Sequence, residues 1–88
     1  MRFDDIECSQ AVAEKLWTKH GVEVDEVRQV LNGETGLRRT RDGLYQVMGR
    51  SEAGRYLLVI MRDLGGGRGR LVTARDMDEG ERRRYRTR

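Results

Sequence analysis

The densest chemistry in the chain lies in Arg75-Asp76-Met77-Asp78-Glu79-Gly80-Glu81-Arg82-Arg83-Arg84-Tyr85. Arg75 closes an apolar stretch that reads as a strand. Glu81 and Tyr85 stand four apart in a following helical stretch and so share a face, with Arg82 beside them. Cleaving RNA without a metal takes a base for the 2′-hydroxyl proton, cations for the charge building on the phosphate, and an acid for the leaving 5′-oxygen. Glutamate, arginine and tyrosine converging from a strand end and a helix face have the chemistry for all three. The same residues have a plain structural use as well. Glu81 can cap the helix and pair with arginine, Tyr85 can pack on the core, and the arginines can form a solvated face that contributes little.

Other residues with chemical potential fare less well. His20 is a candidate general base by residue type, since histidine is the side chain suited to proton transfer near neutral pH. Placed before Gly21 at a helix C-terminus, however, it reads as capping carbonyls or packing with Trp17. A single histidine builds no metal site unaided, and Asp4, Asp5 and Glu7 have no partner cluster, so no metal and no cofactor is expected. Gly65-Gly66-Gly67-Arg68-Gly69-Arg70 lacks the lysine-serine/threonine ending of a phosphate-binding loop and precedes a strand, not a helix. It reads as a turn in which Arg68 and Arg70 can touch phosphate. Trp17 falls in the apolar stripe of the first helix and is expected in the core, whereas Tyr45 or Tyr56 could stack on a base from the sheet.

These side chains must be positioned by a small scaffold. Eighty-eight residues make one domain, residues 1–88. Hydrophobic residues are 36% and charged residues 38%, yet the apolar positions are clustered and periodic, which implies a thin core, not disorder. A core this thin favours a stable binding partner. Cys8 is the only cysteine, which excludes an intrachain disulfide and fits a reducing compartment. No apolar run approaches the roughly 18 residues of a membrane span, and the N-terminus has no signal-peptide pattern, so a cytoplasmic location without membrane contact is expected. The net charge of +3 is unevenly divided: Met1 to Leu37 carries four basic against eight acidic residues, and the rest fourteen against seven. Sixteen of the eighteen basic residues are arginine, whose planar fork binds phosphate in two-point fashion and stacks on bases.

Phe3 to Glu7 alternates weakly, as a short strand would. Ser9 is placed to cap a helix in which Ala13, Leu16, Trp17 and His20 share a stripe and Gly21 ends it. Val24, Val27, Val30 and Leu31 repeat the spacing up to Asn32-Gly33, giving a second helix. The period then shortens, with strands expected over Thr35–Thr40, Leu44–Arg50, Arg55–Arg62 and Arg70–Arg75. They are joined by Arg41-Asp42-Gly43, Ser51-Glu52-Ala53-Gly54 and a loose glycine-rich hairpin. Asp78 and Glu81 then have the spacing of a capping box opening a last helix, Asp78 to Tyr85. The fold class is α+β: two N-terminal helices packed on one face of an antiparallel meander of about four strands, followed by a C-terminal helix. The second sheet face, edged with arginine, would suit a nucleic-acid groove.

Lys19-His20-Gly21-Val22, Gly49-Arg50-Ser51-x-x-Gly54-Arg55 before an apolar strand, and Ala74-Arg75 with Glu81-Arg82 and Tyr85 beyond form an ordered set over nearly the whole chain. That set resembles the BrnT family of type II toxins. The resemblance implies a RelE-like fold, metal-independent ribonuclease activity that inhibits translation, and neutralisation by a BrnA-type, DNA-binding antitoxin, operator DNA being reached only through the complex. Carried over by position, Arg75 and Arg55 would face the scissile phosphate, and Glu81 or Tyr85 would transfer protons. Arg50, Arg68, Arg70 and Arg82 would bind RNA. Met77-Asp78 stands where the family has small and hydroxyl residues, Glu23 replaces a capping serine, and the Gly65–Gly69 hairpin is unusual. Two other classes fit the composition: an RNA-binding module without catalysis, marked by salt-sensitive binding and no cleavage, and a protein-interaction subunit whose basic face receives an acidic partner.

Overall fold

The computed structural model describes residues 3–33, 35–40 and 42–87. Arg41 of the expected Arg41-Asp42-Gly43 turn lies outside them, as do Met1 and Arg2. The elements follow as β1 (Asp5–Glu7), α1 (Gln10–Lys15), a π turn (Leu16–His20), α2 (Val24–Asn32), β2 (Gly36–Arg39), β3 (Leu44–Arg50), β4 (Tyr56–Gly65), β5 (Arg68–Asp76) and α3 (Glu79–Thr87). The expected α+β class holds, but the sheet has five strands in the order β1-β5-β4-β3-β2 and is mixed. β2 to β5 form the antiparallel meander, and β1 adds in parallel beside β5, Ile6 opposite Gly69. A parallel neighbour needs a crossover connection, and the whole intervening chain supplies it.

Ser9 caps α1 by accepting from the Val12 N–H at 3.1 Å. Gly21, at φ 61°, closes the π turn with its N–H on the Trp17 carbonyl and that of Val22 on the Leu16 carbonyl. That left-handed conformation strains any side chain with a Cβ. The N-terminal helices cover one sheet face: Leu16, Val22, Val27, Val30 and Leu31 pack with Phe3, Val47, Leu57, Val59, Met61, Leu71 and Ala74. Trp17, expected in this core, is 59% exposed instead. The buried stripe of α1 runs through Val12 and Leu16, and Trp17 lies about 100° further round the helix.

The glycine-rich hairpin is tight, not loose. β4 and β5 pair up to Gly65 and Arg68, and Gly66 and Gly67 turn the chain with φ 62° and 80°. Positive φ at both central positions matches the right-handed twist of the flanking strands. Gly69 answers a different need, since a Cβ there would sit 2.5 Å from Phe3 Cδ1 and 2.7 Å from Met61 Cε. Among the described residues no helix is long and apolar enough to cross a membrane.

Candidate functional site

Strand register decides which arginines can work together. Side chains alternate faces along a strand, so Leu57, Val59 and Met61 of β4 meet the N-terminal helices while Tyr56, Leu58, Ile60 and Arg62 point the other way. Cross-strand partners share a face. Arg50 is opposite Tyr56, Arg75 opposite Leu58, and Arg70 opposite Arg62, placing all of these on the second face. α3 reaches that face where β4 begins and β5 ends.

There Arg75 meets Glu81 side by side, Nη1 donating to Oε1 at 2.8 Å and Nη2 to Oε2 at 2.9 Å, with Nη1 also donating to the Asp76 carbonyl. The expected capping box is formed: the Asp78 N–H donates to Glu81 Oε1, and the Glu81 N–H to Asp78 Oδ1. Glu81 is buried, while the Arg75 side chain stays 42% exposed. The Arg75 hydrogen bond holds the Glu81 carboxyl below the ordinary glutamate value. Burial opposes that shift, and the Asp78 N–H with the charges of Arg75 and Arg84 adds to it. Tyr85 meets Tyr56 edge to face, centroids 6.0 Å apart. Arg50 and Arg82 lie over the Tyr56 ring at 4.9 and 5.6 Å.

Arg55 belongs to the other side of the molecule. Its guanidinium uses all five N–H groups within the protein: Nε and Nη2 on Asp76, Nη1 on the Gly21 carbonyl and Glu26, and Nη2 again on the His20 carbonyl. Asp76 is opposite Leu57, on the helix face, and its carboxyl is held low chiefly by the Arg55 hydrogen bond. Arg55 thus caps the end of the π turn and ties it to the end of β5. The carbonyls of His20 and Gly21 are satisfied by Arg55. Ser51, also buried, orders the preceding turn by accepting the Arg55 N–H at its hydroxyl.

Arg68 and Arg70 sit at the far end of β5, roughly 17 to 23 Å from Arg75 at about 3.3 Å per residue. Both pair with Glu7 of β1. The structure therefore gathers Arg75, Glu81, Tyr85, Arg50 and Arg82 at one end of the second face, with Arg55 on the opposite face and Arg68 and Arg70 at the opposite end. Sequence reading passed over Asp76 as a partner. The signal available was its place next to Arg75, since neighbouring residues on a strand end face opposite ways. Among the described residues no group of three or more His, Cys, Asp or Glu is placed to hold a metal ion. Burial pushes the Cys8 thiol up, which disfavours a nucleophilic role.

Two helices on one face of a mixed five-stranded sheet, with a third helix closing an arginine-rich end of the other face, make this a small α+β protein. It is similar to the 1.1 Å crystal structure of the Brucella abortus ribonuclease toxin BrnT, with a TM-score of 0.71 and 14% sequence identity, covering 85% of this chain and 97% of that one. A likeness at that identity shows the fold. No protein-family model matches the sequence, and no curated protein matches it.

Proposed function

We propose that the chain is a metal-independent endoribonuclease toxin of a type II toxin–antitoxin system, held inactive by a cognate DNA-binding antitoxin of the BrnA type. The observation that carries the reading is the Arg75–Glu81 pair beside the Tyr56–Tyr85 contact, ringed by Arg50 and Arg82, on a fold shared with a ribonuclease toxin. In this reading Glu81 aims the Arg75 fork, whose Nε has no hydrogen-bond partner among the described residues, at the scissile phosphate. The 2′-oxygen attacks phosphorus as its proton leaves, the bond to the 5′-oxygen breaks, and a 2′,3′-cyclic phosphate remains. Arg75 stabilises the charge on the non-bridging oxygens.

Tyr85 is then the stronger proton-transfer candidate of the pair, because a carboxyl held low by two-point pairing is a weak base. Arg55, with every donor engaged, acts by fixing the strand end that presents Arg75. Arg68 and Arg70 bind RNA at a distance, where Glu7 offsets part of their charge. The test is incubation of the free protein with end-labelled RNA in EDTA, alone and then on translating ribosomes. Cyclic-phosphate ends are expected, and intact RNA in both settings would sink the reading. The spent carboxylate of Glu81 favours a second one, an RNA-binding module without catalysis, whose mark is salt-sensitive binding with no cleavage products.

A further inference from the structure

The sequence leaves Tyr45 and Tyr56 as alternative stacking rings, and it is Tyr56 whose preceding turn is built around its ring. Arg50 ends β3 and Tyr56 opens β4 as its cross-strand partner. Between them Gly54 takes φ +88°, and a Cβ there would lie 2.9 Å from Arg50 Nη2. Glycine thus leaves the space that the Arg50 guanidinium fills beside the ring. Arg82 comes to the same ring from α3, and Tyr85 braces it edge-on at 75°. Neither Arg50 nor Arg82 forms an ion pair or side-chain hydrogen bond among the described residues, unlike Arg55, Arg68, Arg70 and Arg75.

The ring attracts each guanidinium. Two cations drawn to one ring repel each other, however, and no carboxylate forms an ion pair with either, Asp76 acting on Arg82 only through space while its oxygens are held by Arg55. An anion would relieve that repulsion, and a flat π system would use the ring. A strand of unpaired nucleotides offers both at once, because its phosphates are charged and its base faces are free. An acidic peptide would satisfy the cations and leave the ring unused.

We propose that Tyr56 is a nucleobase platform: a base of single-stranded RNA stacks on its ring in place of one guanidinium, and Arg50 and Arg82 take the flanking phosphates. The proposal rests on RNA being the partner and names a subsite for it beside Arg75. Every base has a π face, so the platform holds the strand without selecting its sequence.

The experiment compares two probes by fluorescence anisotropy with the full, antitoxin-free chain. One is a single-stranded 2′-O-methyl RNA decamer, which has no free 2′-hydroxyl to attack. The other is the same phosphate chain carrying abasic spacers. Stacking predicts that the wild type prefers the base-bearing probe by roughly 5- to 150-fold. Tyr56→Leu should reduce that preference to near unity and Tyr56→Phe should keep it. Arg82→Gln should weaken both probes alike and lower the salt slope by about one contact. On the wild-type protein, the ring resonances of Tyr56 should shift with the base-bearing probe and not with the spacer chain, a readout that needs no variant to fold.

Equal affinity of the wild type for both probes, or a preference that survives in folded Tyr56→Leu, overturns the platform. If Arg75-dependent cleavage is then still present, the ribonuclease reading survives that loss. Failure to bind either probe while an acidic partner protein binds overturns both.

Discussion

Arg75 on β5 and Glu81 on α3 are locked fork to fork, and the carboxylate that neutralises the arginine is the same one that caps the helix. Arg75→Ala should therefore separate chemistry from folding. Cleavage of end-labelled RNA in EDTA should fall by at least ~100-fold, the scale for losing one donor to a developing oxyanion. Stability by urea denaturation should fall by about 1 to 3 kcal/mol, because buried Glu81 loses its partner but keeps the Asp78 N–H. Arg75→Lys should not rescue activity, since an ammonium cannot reproduce the two-point fork. A large loss of stability with cleavage retained in the folded fraction would make Arg75 structural.

Glu81 and Asp76 set the acid limb of stability. Both carboxyls are held below their ordinary values by arginine. Each thus contributes stability that is fully present above its unfolded-state pKa, about 4, and lost as pH falls through the lower folded value. Urea midpoints should stay level from neutral pH down to about 5 and fall below it. Asp76→Asn and Glu81→Gln should each lower stability at neutral pH and make the acid limb shallower. An unchanged acid limb in both variants would assign acid unfolding to other groups.

The fold was legible where period and caps agree. Ser9, Gly21 and the valines of α2 placed the N-terminal helices, and Asp78 with Glu81 placed the start of α3. Strand pairing was less visible: Asp5–Glu7 is too short and polar to announce a parallel partner, and the contacts that dock the chain start, Phe3 against Gly69 and Glu7 with Arg68 and Arg70, appear only in the fold. Trp17 was misplaced because Leu16, its neighbour, lies in the stripe that is buried, and single-sequence spacing does not say on which residue a stripe is centred. For the site, the sequence placed Arg75, Glu81 and Tyr85 on adjoining elements. It could not separate Arg55 from Arg75, because opposite sheet faces follow only from register.

Trp17 reports on its own placement, being the chain's only tryptophan. Its emission should lie at the long-wavelength end characteristic of hydrated indole and be quenched readily by iodide. Trp17→Ser should cost no more than about 0.5 kcal/mol, as for a surface substitution. Blue-shifted, protected emission in the free protein would return Trp17 to the core.

Gly69 tests the docking of β1. Gly69→Ala places a methyl against Phe3 and Met61, and overpacking of this kind costs about 1 to 3 kcal/mol. Adding Phe3→Leu should recover part of that loss, a coupling readable in a double-mutant cycle of urea midpoints. Strict additivity would mean that the two residues do not meet.

Arg55 distinguishes positioning from direct contact with RNA. Its five donors span Asp76, Glu26 and the carbonyls of His20 and Gly21, so Arg55→Ala leaves a helix end uncapped and Asp76 unpaired, a loss of about 2 to 3 kcal/mol. Arg55→Lys keeps the charge and loses the fork, and should recover only part of that stability. If Arg55 acts through the strand end, both variants should cleave RNA nearly as fast as wild type per folded molecule at low temperature, with the salt slope of binding unchanged. A cleavage defect of the size seen for Arg75→Ala in fully folded Arg55→Lys would place Arg55 on the phosphate. Reaching it would require the guanidinium to give up its bonds to Asp76 when RNA arrives.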